Sequence, residues 1–275
     1  MNMTHAILML PLFAFVAAPT SEPAKCPQII AHRGESSLAP ENTMAAVELA
    51  WKRNADAVEI DVHLTADGHL VVCHDNNTQR TAGKKMVIAN STLAELRTLN
   101  MGTWNAKEQT IPLLTEVLNT IPDNKRLFVE VKVGPEAVPV LKKDFEASHK
   151  RVEQLVVLAF QPAVIVEMKR SMPGHRAFLE VGLHQNKETK RWAPTLDEVI
   201  ARARAAKADG VDIRAAEPLD QLFVEKLHQA GLEVYAWTVD SPQVAARLFK
   251  FGVAGVTTNR AGWLREQLSA QSEEK

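Results

Sequence analysis

A chain of 275 residues has room for one large domain with a substantial core or for two small ones, and nothing in the length favours two. Its 46% hydrophobic and 24% charged residues are those of an ordinary soluble globular protein. With 32 basic residues against 33 acidic ones, the chain has no global field to draw nucleic acid or an anionic membrane, which leaves a small molecule as the default partner.

The apolar run from Ile7 to Ala18 breaks into Pro19-Thr20-Ser21-Glu22-Pro23. It is short for a membrane span and ends in small residues, so residues 1–25 read as a signal peptide and leader cleaved near Ala18, and the chain as exported, periplasmic or secreted. Little positive charge precedes the run, and an anchor formed by an uncleaved N-terminal segment is the alternative, since Lys25 before Cys26 spoils any lipoprotein-type cleavage site. Once the signal is removed, no stable membrane partner is expected. Cys26 and Cys73 permit one disulfide, but they fall at opposite ends of neighbouring strands, and both thiols are expected to be free.

The first strand, Gln28 to Ala31, stops at His32-Arg33-Gly34, and a helical pattern runs from Glu41 to Trp51 with Glu41 in its first turn. Next, Val58-Glu59-Ile60-Asp61-Val62 leads through a turn at Asp67-Gly68 into Leu70-Val71-Val72-Cys73-His74-Asp75. A connection this short joins only antiparallel strands, so this is a hairpin that returns His74 towards Glu59 and Asp61. Residues 76–110 are polar and loosely patterned around one helical patch, Thr92 to Arg97, and read with the hairpin as an insertion of about 64–111. An amphipathic stretch from Pro112 to Thr120 and a strand from Arg126 to Lys132 follow. Strands are then expected at Leu155–Phe160, Ala177–Val181, Gly210–Ile213, Glu233–Thr238 and Ala254–Thr257. Helical patterns separate them, the last from Ala261 to Leu268, and 269–275 reads as a polar tail. Eight strand–helix units in residues 26–268 point to an α/β (β/α)8 barrel with a small inserted cap after the second strand; a doubly wound open sheet is the runner-up.

In such a barrel the carboxyl ends of the strands build the active site. The polar residues there are His32 and Arg33, Glu59 and Asp61, Glu130 and Lys132, Gln161, Glu180, Arg214 and Trp237. Glu59, Asp61 and Glu130 offer only oxygen, which suits Ca2+ or Mg2+ rather than Zn2+. Each alone reads equally as a surface acid or a salt-bridge partner of Arg33 or Lys132; their joint place on neighbouring strand ends favours a metal. Arg33 and Lys132 suit the negative charge of a phosphodiester. His32 and His74, flanking one charged site, suit general base and general acid.

Together these residues resemble the glycerophosphodiester phosphodiesterase family. The resemblance is carried by His32-Arg33-Gly34, Pro40-Glu41-Asn42-Thr43, Glu59-Ile60-Asp61 running into Leu64-Thr65-Ala66-Asp67-Gly68, His74-Asp75, Leu93-Ala94-Glu95-Leu96, Ile111-Pro112, Glu130-Val131-Lys132, Trp237-Thr238-Val239 and Gly252-Val253-Ala254-Gly255-Val256-Thr257-Thr258. It implies a TIM barrel that hydrolyses a glycerophosphodiester to glycerol 3-phosphate and an alcohol. It implies catalytic roles for His32 and His74, one Ca2+ or Mg2+ held by Glu59, Asp61 and Glu130, and phosphate contacts from Arg33 and Lys132. Gln161, Glu180 and Trp237 are expected in the substrate pocket; Glu41 is expected to cap the start of its helix, with a place near the metal or the glycerol hydroxyls as the alternative. Two departures from the family pattern, Asn259 in place of Asp and Asp240 in place of Asn, are expected to touch the rim and substrate preference. The alternatives are a related barrel phosphodiesterase acting on lysophospholipids or inositol phospholipids, with apolar access from residues such as Met86, Val87, Ile88, Met101 and Trp104, or an exported protein that binds glycerophosphodiesters without cleaving them.

Overall fold

The computed structural model describes residues 27–273; the leader, its processing and Cys26 lie outside the described residues. Eight parallel strands, β1 (Gln28–His32), β2 (Ala57–Leu64), β3 (Arg126–Val131), β4 (Leu155–Ala159), β5 (Arg176–Val181), β6 (Gly210–Arg214), β7 (Glu233–Trp237) and β8 (Gly255–Thr258), pair in chain order. β1 pairs on one side with β2, Ile30 opposite Ala57, and on the other with β8, Ile29 opposite Val256. The ring is therefore closed, a (β/α)8 barrel, and the open-sheet alternative falls.

Eight helices surround it: α1 (Met44–Lys52), α2 (Leu114–Thr120), α3 (Val138–Ser148), α4 (Pro162–Ser171), α5 (Leu196–Ala205), α6 (Gln221–Gln229), α7 (Pro242–Lys250) and α8 (Ala261–Glu273). Their starts are written locally. Thr43, Asp220 and Ser241 accept from the backbone N–H three residues on, and Pro162 and Pro242 occupy a first turn where no N–H is needed. Outward strand residues such as Val58, Ile60 and Val62 form the main core with the helices. Inward, Phe128, Phe178 and Tyr235 fill the lower barrel, with edge-to-face ring contacts at 5.3 and 5.2 Å. Gly210 leaves them room: a Cβ there would lie 2.6 Å from the Phe178 ring and 2.1 Å from the Glu233 carbonyl oxygen. Above this apolar floor, towards the carboxyl ends, the inward positions become acidic.

β2 outruns β1, and its upper residues Val62 to Leu64 would leave an unpaired edge. The returning hairpin strand Leu70–Val72 covers it, antiparallel, with Val62 opposite Val72 and Leu64 opposite Leu70. The rest of the insertion packs beneath the hairpin on its own small core, including Val71, Cys73, Ile88, Leu96, Leu99 and Ile111. It contains more structure than its sequence pattern suggests: one-turn helices at Gln79–Ala82 and Leu93–Leu96, a 3-10 turn at Ile88–Asn90, and a ribbon pairing Thr103–Trp104 with Lys107–Glu108. Cys73 is buried and free.

Two boundaries differ from the sequence reading. The segment read as a polar tail continues α8 to Glu273, because Glu266 to Glu273 holds no Gly or Pro to stop a helix and Leu268 still packs against the core. α1 begins at Met44 rather than Glu41: Asn42 sits at a φ of 56°, outside right-handed helical space, and Thr43 is the cap. Glu41 is thus free of the helix and available to the site.

Candidate active site

The loop after β1 aims Arg33 into the barrel mouth. Arg33 and Gly34 have φ of 56° and 81°, and Gly34 lies so close to α1 that a Cβ would sit 2.5 Å from the Ala46 backbone. This turn lets the Arg33 N–H donate to Glu59 Oε2 at 2.9 Å while its guanidinium lies between Glu41 (2.9 Å) and Asp61 (3.4 Å). The buried Asn42 donates through Nδ2 to Asp61 Oδ2 at 2.7 Å and accepts from the Asp61 N–H at 3.3 Å. On the other side, Lys132 Nζ reaches Glu130 Oε1 at 2.6 Å and Asp61 Oδ1 at 3.4 Å.

Glu59, Asp61 and Glu130 are 3, 1 and 6% exposed. Each offers an oxygen lying within 4.8 Å of those of the other two, and Glu59 Oε1 and Asp61 Oδ1 have no hydrogen-bond partner. Burial, reinforced by the charges of Asp61 and Glu130, pushes the Glu59 carboxyl well above the ordinary range. Burial and Asp61 push Glu130 up to about 7. Burial opposes ionisation of Asp61 as well, but Lys132 and Arg33 outweigh it and hold that carboxyl low. Three converging buried carboxylates, two of them with an unpartnered oxygen and together incompletely neutralised by their neighbours, can bind a metal ion, and an all-oxygen donor set suits a hard cation.

Two imidazoles face this group. His32 Nδ1 lies 2.7 Å from Asn259 Oδ1, and Asn259 donates through Nδ2 to Asp240 Oδ2 at 2.7 Å. That carboxylate fixes the amide's orientation, so His32 carries its proton on Nδ1 and leaves Nε2 free. Burial and the adjacent Arg33 lower the His32 pKa, favouring the neutral ring. His74 is hung on β2 twice. The Cys73 N–H donates to the Asp61 carbonyl at 3.0 Å, and His63 Nε2 donates to the His74 carbonyl at 3.1 Å. Its own Nδ1 lies 2.6 Å from Asp75 Oδ1, which leaves Nε2 for the cavity.

The cavity has a volume of about 190 Å3, and its walls include His32, His74, Lys132 and Trp237. Residues 32–262 match the model of the glycerophosphoryl diester phosphodiesterase family. The chain belongs to this family. A glycerophosphodiester phosphodiesterase of Caldanaerobacter subterraneus is 31% identical over 239 residues, 84% of this chain and 93% of the relative. One from Bacillus subtilis is 28% identical over 281 residues, 92% of each chain. Among solved structures, an Oleispira antarctica phosphodiesterase in complex with the product sn-glycerol-3-phosphate superposes with a TM-score of 0.75 at 27% identity, covering 88% of this chain and 97% of its own. A Thermotoga maritima glycerophosphodiester phosphodiesterase, 22% identical with a TM-score of 0.69 over 88% of this chain and 99% of its own, shares the fold.

Within this family member, His32, Arg33, Glu59, His74, Glu130, Lys132, Glu180 and Trp237 all border one cavity, and Asp61 lies against Arg33 and Lys132 beside it. Gln161 does not join them. Inward positions on β4 alternate Val156 and Leu158, and Phe160, the next in step just past the strand, forms the wall, edge-to-face with Trp237 at 5.8 Å, while Gln161 is exposed at the start of α4. Arg214 is also exposed, and the inward group of β6 is the buried Asp212. Asp212 and Glu180 each keep an unpartnered oxygen, and burial raises both pKa values well above the ordinary range. Asp240 and Asn259, read from sequence as rim positions, stand directly behind His32. Glu41 is paired with arginine rather than a helix end, and burial of its carboxylate is outweighed by Arg80 and Arg33, which hold its pKa low.

Proposed function

We propose that this chain hydrolyses a glycerophosphodiester to glycerol 3-phosphate and an alcohol, using one Ca2+ or Mg2+ and acid–base catalysis by His32 and His74. The observation that carries the reading is the convergence of three buried carboxylates, two cations and two imidazoles on one small cavity. Glu59, Asp61 and Glu130 would hold the metal, which would supply charge neutralisation at a phosphoryl oxygen. Arg33 and Lys132 take up the remaining phosphate charge, and both stay protonated. Burial works against each, but Asp61 with Glu41 for Arg33, and Asp61 with Glu130 for Lys132, raise their pKa values. His32 and His74 each present Nε2, so one accepts the proton of the attacking hydroxyl or water while the other protonates the leaving alkoxide.

A cavity of about 190 Å3 suits a small polar substrate. Ile88 and Met101, which would have lined a lipid access route, are spent in the insertion's own core, so the lysophospholipid alternative is not favoured. The product bound by the Oleispira antarctica relative supports glycerol 3-phosphate as the product here. The test is a panel of glycerophosphodiesters assayed for glycerol 3-phosphate release after EDTA, with Ca2+ and Mg2+ restored separately. Release that EDTA leaves unchanged would overturn the metal requirement; an alcohol phosphate in place of glycerol 3-phosphate would overturn the product assignment.

A further inference from the structure

We infer that Arg80, carried by the inserted cap, is a positioning residue for this reaction: it clasps Glu41 and Asp75 together and so fixes the His74 ring relative to the Arg33 guanidinium. The inference rests on the catalytic reading of His74 above.

Arg80 Nη1 and Nη2 donate to Glu41 Oε2 and Oε1 at 2.7 and 2.8 Å, while Nε and Nη2 donate to Asp75 Oδ2 and Oδ1 at 2.8 and 3.2 Å. Asp75 Oδ1 meets His74 Nδ1, and Glu41 Oε1 also accepts from Arg33. An unbroken chain therefore runs Arg33–Glu41–Arg80–Asp75–His74 across the mouth of the barrel. Only a guanidinium does this with one side chain, because its planar fork presents several donors to two carboxylates at once. Without it, Glu41 and Asp75 would be two neighbouring anions with nothing between them, and the Asp75 carboxylate would be free to turn away from the imidazole.

An exposed ion pair alone would contribute little, and the Arg80 side chain is 47% exposed. Here four hydrogen bonds to two partners replace one pair, and the segment bearing Arg80 is held from below. Its one-turn helix follows Thr78, which is fully buried, donates to the Lys84 carbonyl at 2.6 Å and accepts from the Met86 N–H at 3.1 Å. Ala82 and Met86 pack on the insertion's core. The insertion is thus the strap that delivers Arg80. Asp75 accepts from Arg80 and from His74, and those hydrogen bonds, Arg80's first, hold its carboxyl down to about 2, so the histidine always meets an anion.

The test compares R80A, R80K and H74A in the metal-loaded enzyme. R80A is expected to lower kcat about 10- to 100-fold, the usual cost of losing such a supporting partner. Its KM should stay within a few-fold, because Arg33 keeps its own contact with Glu41. R80K should recover only part of the loss. Millimolar guanidinium should raise kcat in R80A and leave H74A inactive. Wild-type kcat in R80A, a loss confined to KM, or a loss that guanidinium does not touch would overturn the Arg80 assignment while leaving His74 in place. Should R80A fail to fold, wild-type kcat in R80K overturns it equally. An active H74A would overturn the catalytic reading and this inference with it.

Discussion

Replacing Glu130 with Gln should stabilise the metal-free protein while disabling the enzyme. Glu130 is 6% exposed, and burial together with Asp61 lifts its carboxyl from an ordinary 4.5 to about 7. At ~1.4 kcal/mol per tenfold, holding the ionised form in the fold costs on the order of 3 kcal/mol. The folded state binds more protons than the unfolded state between pH 4.5 and about 7, so this contribution to stability is lost as pH rises through that window and stays lost at pH 8. The Gln amide keeps an oxygen for Lys132 and carries no charge. In chelator at pH 8, E130Q should therefore be more stable than wild type by up to about 3 kcal/mol, roughly 6–10 °C in Tm for a domain of this size, with the difference vanishing near pH 4.5. Adding metal at 100 times its Kd should stabilise wild type by about 2.7 kcal/mol and E130Q far less. Denaturation with and without chelator at the two pH values reads all four quantities. An E130Q protein less stable than wild type at pH 8 in chelator, or one with the same offset at both pH values, would refute the charge-repulsion argument.

One residue inserted at Asp67-Gly68 should abolish most turnover while sparing metal binding, because a slip of one position turns His74 to the opposite face of the hairpin; turnover and calorimetric metal affinity check it. Exchanging Asp240 and Asn259 as a pair, D240N with N259D, places the carboxylate on His32 Nδ1 and should move the limb of the pH–rate profile that reports His32 to higher pH. N259D alone should cut activity, since it sets two carboxylates against each other at the present 2.7 Å contact. A leader cleaved near Ala18 should give a mature exported chain that lacks the first residues, read by intact mass of the secreted fraction; an exported chain of full length would contradict cleavage.

The barrel was legible because its strands are short apolar runs that end in polar residues, and because Glu59 and Asp61 interrupt an apolar strand at period two. The same count, carried on from Val156 and Leu158, selects Phe160 rather than Gln161, and it selects Asp212 within Gly-Val-Asp-Ile-Arg rather than Arg214 after it. Those signals were present and needed only stricter alternation. Other parts were not readable in this way. The contact between His32 and Asn259 spans 227 positions and exists only because the barrel closes β8 onto β1. Asp75 and Arg80 lie in an insertion whose path follows one-turn helices and its own small core, where neither strand nor helix periodicity says which way a side chain points. α8 outran its apolar stripe because a good helix-forming sequence needs no buried face in its last turns.

In the proposed reaction Glu59, Asp61 and Glu130 hold one cation on which hydrolysis depends. Adding Ca2+ or Mg2+ to the chelated protein, with bound metal and glycerol 3-phosphate release followed in the same sample, tests this dependence. One ion per chain is expected, with activity rising in proportion to occupancy, and neither in an E59Q protein. Full turnover with no ion bound, or activity that ignores occupancy, would contradict it.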